Sequence, residues 1–526
     1  MRAEPLAPLD PAAVGVGREP DRDVAGDLGA DLWAGTRRAD VARLLQAVPA
    51  RIEAPTLNRL VRRVLLTAAA PPDGPPAQPD LPVLRVAALA TLGDLDGAAA
   101  LAGSIPERER SDDLTRIAAE IDLLRHRLDS ACAGAVAAVT GSTDPYWQKL
   151  TSFCRLHAGQ RDEAMLIADL LRERGHRDPA FFAITDTLLG FEKARIATLP
   201  SIAPLHLAML REAGLPLPLD AATTAKPALL RAVALSPNAE PAMRLAAAEQ
   251  AAAANALDPA MLGRLYTEGR GATAPTTRPG VEGLSAETPG ERAALFHAAR
   301  VATDEAERAA ALKALFDAAY AAGVLHPIAA IAGPMLSELR PTGRFAFFAE
   351  AAVRALVITG DTDRAAAWFA LAVREAPGNS RAAQAAAEVW PLLMLADPAT
   401  AWSDALFRRW WERTLATDAG LAEARGAAFL SLLDAVETPV PQQAWSLLPT
   451  PMPARGTAVP ALRDLSAAAE RRRRGETLLR AAAVMSTNEP VPAAAKLHAV
   501  VTALRTAGFA DEARAVALDA AIDMKL

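Results

Sequence analysis

Lysine is scarce, with six residues against 50 arginines, and cysteine occurs only twice. Aromatic residues make up 5% of the chain. Two cysteines cannot build a multi-bridge framework or a zinc-finger array. No apolar run reaches the ~18 residues that a bilayer span needs. The stretch 81–92 is broken by Pro82 and Arg85, and 131–139 is too short. The net charge of −6 lacks the basic surplus that phosphate neutralisation demands, so no nucleic-acid partner is expected. The arginine bias reflects a GC-rich genome and points to no ligand. Catalytic signatures are missing too: there is no H-E-x-x-H, G-x-S-x-G, G-x-x-x-x-G-K-[ST] or G-x-G-x-x-G. The histidines (His126, His157, His176, His206, His297, His326, His498) are scattered with no pair at i, i+4, and no motif pairs the carboxylates. No catalytic residue, metal or cofactor is expected.

What is present is alanine, at 126 positions, inside a chain that is 51% hydrophobic and therefore not globally disordered. Apolar residues recur at helical spacing, as in Val41, Leu44, Leu45 and Val48, or Leu57, Leu60, Val61, Val64 and Leu65. Alternating β-branched runs are almost absent. Breaks by Pro, Gly, Asn or Asp recur every 12–20 residues between 83 and 265. The chain reads as a disordered arm over 1–27, a helical-repeat region over 28–266 and a loop over 267–290. A second helical-repeat region over 291–437, a Pro-rich linker over 438–460 and a C-terminal helical cap over 461–526 follow. Thr36 is the expected cap of the first helix. Thr288, Pro289 and Glu291 form an expected capping box. The final helices are expected from about 461 to 485 and from 492 to the end. The basic run 471–474 reads as a solvated helix end near Gly475, with a nucleic-acid or lipid contact as the sharper alternative.

One six-residue pattern, G-x-x-D-x-A, recurs. It appears as Gly93, Asp96, Ala98; Gly159, Asp162, Ala164; Gly360, Asp363, Ala365; and Gly508, Asp511, Ala513. The glycine suits a left-handed helix end. The aspartate suits the first turn of the next helix, where orphan N–H groups and the dipole favour a carboxylate. The alanine suits a close helix crossing. The copies start 66, 201 and 148 residues apart, which fits a ~34-residue period only in part.

The third copy continues as GDTDRAAAWFALAVREAPGN. With Ala365, Phe369, Ala372 and Pro377 on small, aromatic, small and proline positions, it resembles the second half of a tetratricopeptide repeat. The helix expected over 344–358 supplies the first half without that family's Trp and Tyr. The clear resemblance covers 344–379 and implies an all-α, tetratricopeptide-like α-solenoid of antiparallel helix hairpins. The chain also resembles alanine-rich helical bacterial proteins sometimes labelled antifreeze. That label is rejected, because the alanines sit among Leu, Val and Arg at core-packing spacings rather than among regularly spaced Thr.

Two groups of side chains stand out. Cys132 and Cys154 each lie 11 residues from Thr143, the centre of an expected turn that ends in the cap Asp144 and Pro145. In an antiparallel hairpin both sit about 16 Å from the turn, at one height. They are a candidate disulfide, the alternative being two buried thiols. Trp402, Phe407, Trp410 and Trp411 form the densest aromatic cluster. They read either as inter-helix core or as a partner-binding patch.

The expected function is a non-catalytic protein–protein interaction scaffold that presents a concave helical-repeat surface to another protein or peptide. The alternatives are a structural component of a bacterial envelope or motility assembly, and a helical-toroid enzyme with acidic residues that sequence does not locate. The N-terminus as it stands lacks the apolar stretch of a secretory signal, so a cytoplasmic location is expected. A Cys132–Cys154 bridge would instead imply the periplasm, with the signal outside this chain.

Overall fold

A computed structural model describes residues 28–526 apart from Ala77, 140–143, Ala225, 269–286, 449–458 and 487–492. The expected arm, the turn around Thr143, the body of the 267–290 loop and part of the 438–460 linker lie outside the described residues. Among the described residues there are 26 α-helices and no strand. An isolated bridge joins Arg37 and Asp73. Helix takes 71% of the described residues. The chain is all-α because alanine, leucine and arginine, its dominant residues, lose little on entering a helix.

The helices fall into two compact units. The first takes residues up to Arg51 and Arg62–Leu257. It contains α1 (Arg38–Gln46), the later part of α2 (Pro55–Leu66), α3 (Leu81–Thr91), α4 (Leu95–Ser104) and α5 (Asp112–Leu124). Then come α6 (Leu128–Val139), α7 (Pro145–His157), α8 (Arg161–Glu173) and α9 (Pro179–Leu189). It closes with α10 (Pro204–Glu212), α11 (Pro227–Ala234) and α12 (Pro241–Ala253).

The second unit takes Ile52–Val61 and Asp258–Leu526. After the start of α2 come α13 (Pro259–Glu268), α14 (Pro289–Val301), α15 (Glu305–Ala321), α16 (Leu325–Ser337) and α17 (Ala349–Ile358). Next are α18 (Thr362–Glu375), α19 (Ser380–Ala396), α20 (Asp404–Thr417), α21 (Ala419–Ala435) and the short α22 (Gln442–Trp445). The last four are α23 (Val459–Glu470), α24 (Arg474–Met485), α25 (Ala493–Thr506) and α26 (Ala510–Asp523).

Sequence neighbours pack on one another, as α5 on α6, α7 on α8, α14 on α15 and α17 on α18. Alternate helices also touch: α3 and α5, α7 and α9, α23 and α25, and the series α15, α17, α19, α21. Ala98, Ala164, Ala365 and Ala513 are fully buried. A methyl side chain is what lets helix axes approach closely.

The four motif glycines all adopt left-handed backbone, with φ of +80°, +76°, +77° and +91° at Gly93, Gly159, Gly360 and Gly508. In each turn the glycine N–H donates three residues back. The following N–H donates five residues back, as Gly360 does to Val357 and Asp361 to Leu356. This double bond satisfies the last carbonyls of the preceding helix.

The aspartate reading needs correction. Where a side chain caps, it belongs to the residue directly after the glycine. Asp94 accepts from the Gly97 N–H and Asp361 from the Arg364 N–H. The motif residues Asp96, Asp162, Asp363 and Asp511 sit inside the first turn, facing the helix dipole. Two positions further on, the carboxylate has passed the point from which it caps the N–H groups of the first turn.

The same turn also forms without glycine. His126, Asn255, Glu437, Arg472 and Lys525 have φ between +53° and +59°. Left-handed turns therefore fall at 93, 126 and 159, and again at 437, 472 and 508. The 66-residue gap between the first two motif copies is thus halved by His126.

Three boundaries differ from expectation. Thr36 is buried, and α1 follows Arg37, whose side chain makes no cap bond. The Arg38 N–H is instead taken by the Asp73 carbonyl at 2.7 Å. The helix expected over 461–485 breaks at the left-handed Arg472; the basic run 471–474 lies at the junction where α23 ends and α24 begins, with Arg471 and Arg472 exposed and Gly475 buried as the second residue of α24. Arg473 and Arg480 both bond the buried Glu476, which fixes the start of α24. The helix expected over 344–358 opens as the 3-10 turn Gly343–Phe348, and α17 begins only at Ala349. The capping box at Thr288 and the Asp144–Pro145 helix start form as expected.

Candidate functional site

α17 reads AEAAVRALVI, and α19 opens SRAAQAAAEVW. Every residue of α17 is buried except Glu350, Arg354 and Ile358. Over 382–395 in α19 only Gln384 and Glu388 reach solvent. A spacing of four puts each polar pair on one helix face. α17 packs between α15 and α19, so the two faces meet, and α15 adds Lys313, Asp317 and Tyr320.

These side chains form one network. The Arg354 guanidinium pairs with Glu350 Oε1 at 2.5 Å and Glu388 Oε2 at 3.5 Å. Arg413 of α20 also pairs with Glu388, and Gln384 Nε2 donates to Glu388 Oε1 at 3.0 Å. Arg354 lies 4.4 Å from the Tyr320 ring centre, and the Lys525 ammonium lies 5.6 Å from it. Lys313 pairs with Asp317.

Arg354 brings the two glutamates together, one on each side of its guanidinium, so that each carboxyl shifts the other. Burial pushes the Glu350 carboxyl up to about 7; Arg354 opposes this, and Glu388 and Asp317 reinforce it. Burial also pushes Glu388 upward, but hydrogen bonds from Glu350 and Gln384 and the charges of Arg413 and Arg354 outweigh it and hold that carboxyl low. Burial thus favours the protonated form of Glu350, while the cations around Glu388 favour its ionised form. Burial likewise raises the Tyr320 hydroxyl.

The residues singled out from sequence lie elsewhere. Cys132 and Cys154 form a disulfide between α6 and α7, with Cα atoms 5.5 Å apart. Phe407 and Trp410 are buried against Trp390 of α19 and Phe429 of α21. Trp411 is buried too, and only Trp402 keeps part of its surface. As a partner-binding patch the cluster is therefore corrected: its rings face inward because α19, α20 and α21 close over them. Ala365 and Ala372 are buried, Phe369 is half-buried and Pro377 is exposed. The fully buried aromatic of α18 is Trp368, edge-on to Phe348 at 5.4 Å.

Four histidines face carboxylates: His157 with Glu212, His206 with Asp178, His326 with Asp519 and His498 with Asp434. Among the described residues no three His, Cys, Asp or Glu side chains are grouped to hold a metal ion. Nor is any helix there long and apolar enough to cross a membrane.

Sequence reasoning missed the Glu350–Glu388 network. The signal was present as isolated polar residues four apart in otherwise Ala/Val-rich helices, but their pairing across 38 positions was not. No protein-family model matches this chain, and no curated protein and no solved structure is similar to it.

Proposed function

We propose that the protein is a non-catalytic scaffold of α-solenoid type, built of antiparallel helix pairs on a tetratricopeptide-like plan, that binds another protein. Left-handed turns at 93, 126 and 159, and at 437, 472 and 508, recur near the ~34-residue period of that repeat. Contacts between alternate helices are those expected of stacked repeats.

The observation that carries the reading is the polar stripe of α15, α17 and α19. Helices closed by apolar packing on every other side keep one row of polar groups toward solvent, and those groups are held in place by mutual bonds. Such preorganised groups recognise a partner at a lower ordering cost. The Cys132–Cys154 bridge supports an oxidising compartment such as the periplasm for this scaffold.

The neighbouring carboxyls favour a second reading, an enzyme using Glu350 and Glu388. A glycosidase sets its two carboxyls roughly 5 Å or more apart with the glycosidic oxygen between them, whereas here the Arg354 guanidinium pairs with both and takes that place. The scaffold reading is therefore preferred.

The test is purification from the native organism with wild type and Arg413→Glu in parallel, followed by mass spectrometry. Arg413 is 46% exposed, so the variant should fold. A partner held by wild type and lost by the variant supports the reading. Identical partners in both would remove the stripe as the binding surface.

A further inference from the structure

In the first unit a cavity of about 240 Å³ opens where α4, the α5–α6 turn, α10 and α11 meet. Its wall includes Asp96, Arg125, His126, Arg127, Arg211 and Arg231. Four arginines thus face one carboxylate, in a chain whose net charge is −6. They come from three stretches of chain, Arg125 and Arg127 from one turn, Arg211 from α10 and Arg231 from α11, so the fold gathers them.

The arginines are not equally engaged. Asp96 bonds two of them, Arg125 at 2.8 Å through one oxygen and Arg231 at 3.0 Å through the other. Its side chain is 66% exposed, while those of the two arginines are 16% and 18% exposed. Arg127 and Arg211 form no ion pair among the described residues. The other acidic groups nearby are already committed: Glu212 accepts from His157 Nδ1 at 3.1 Å, and Asp122 feels Arg125 and Arg127. His126, whose left-handed backbone makes the turn, has a buried Nδ1 with no partner. Burial lowers the proton affinity of Arg211, and the neighbouring Glu212 charge opposes this without cancelling it.

We propose that this cavity is a binding site for a phosphate monoester. Guanidinium forks match phosphate and carboxylate oxygens alike. A single carboxylate offers two oxygens, whereas a phosphate dianion offers three oxygens and a second charge to several converging donors. The cavity is smaller than the ~300–1,000 Å³ of a site that swallows a drug-sized ligand, so it suits an anionic head group with the remainder of the ligand outside. Asp96 holds Arg125 and Arg231 in place beforehand, and Arg127 and Arg211 add two guanidinium groups that no ion pair among the described residues engages.

Calorimetric titration of the full chain tests this, using inorganic phosphate and a phosphoserine peptide at constant ionic strength. Saturable binding of either one is expected, weakened about tenfold or more by Arg211→Gln and by Arg231→Gln. Arg471→Gln, exposed and outside the cavity, should leave binding unchanged. Arg127→Gln is also exposed and serves as the readout if a more buried variant fails to fold. Tighter binding of phosphate alone assigns the site to a small phosphorylated molecule, and tighter binding of the peptide to a phosphorylated side chain. No saturable binding of either probe at millimolar concentration overturns the proposal. So does equal weakening by Arg471→Gln.

Discussion

Gly93 and Gly360 adopt the same left-handed backbone in different surroundings. A Cβ on Gly360 meets nothing within 4 Å, whereas one on Gly93 would lie 2.4 Å from the Ala256 Cβ and 3.1 Å from the Ala228 backbone nitrogen. Gly360→Ala is expected to cost about 1 kcal/mol, the left-handed penalty alone. Gly93→Ala should cost roughly 1–3 kcal/mol more through overpacking. Urea denaturation of both variants checks the difference, and equal losses would deny the close approach at Gly93. Glu350 carries a pH prediction. Its carboxyl is raised from an ordinary 4.5 to about 7, so the unfolded chain releases that proton first. Its contribution to stability therefore falls as pH rises from about 4.5 to about 7. Glu350→Gln lacks this slope. The variant should gain stability relative to wild type between pH 5 and pH 8, and parallel profiles would mean that Glu350 holds no such proton.

Helix ends and helix pairs carry the next set of effects. Thr288 and Glu291 bond reciprocally at the start of α14. Thr288→Ala is expected to cost about 1 kcal/mol, read as a lowered urea midpoint. The bridge between α6 and α7 joins residues 22 apart. The chain-entropy account assigns such a loop about 3 kcal/mol, so Cys132→Ser with Cys154→Ser should lose that much under non-reducing conditions. Thiol counting on native, unreduced protein should find none free, and two free thiols would remove the argument for an oxidising compartment. α20 and α21 depend on a glycine for a different reason. A Cβ at Gly426 would lie 2.6 Å from the Trp411 ring, so the indole rests directly on the α21 backbone.

In the molecule as a whole, residues far apart in the chain share single bonds. Within the second unit, Asp519 of α26 accepts from the Thr56 N–H at 2.8 Å and contacts His326 Nε2 at 3.1 Å. Thr56 and Asp519 are 463 positions apart. Asp519→Ala leaves a buried N–H at the start of α2 without its acceptor, at an expected cost of about 1–3 kcal/mol. Calorimetric melting checks this, and an unchanged transition would mean that water replaces the carboxylate freely. Circular dichroism should report a predominantly helical chain with no strand signature, and substantial strand content would end this reading.

Much of the architecture was legible in the chain alone, and it shares one property: its causes lie within a few residues. Helical type followed from alanine-rich composition and apolar spacing. The left-handed ends at Gly93, Gly159, Gly360 and Gly508, the box at Thr288 and the start at Asp144 each rest on contacts spanning five residues or fewer. The closeness of Cys132 and Cys154 followed from their symmetry about one turn. The remainder had no local signature. His126 and Arg472 turn left-handed at helix ends that their residue types do not announce. The aromatic cluster faces inward because three helices close over it. Glu350 meets Glu388, and four arginines meet around one cavity, only after the helices stack. A charge on a helix face looks alike in sequence whether its neighbour is water or another charge. Burial and cross-helix distance separate the two cases, and those exist only in the folded chain.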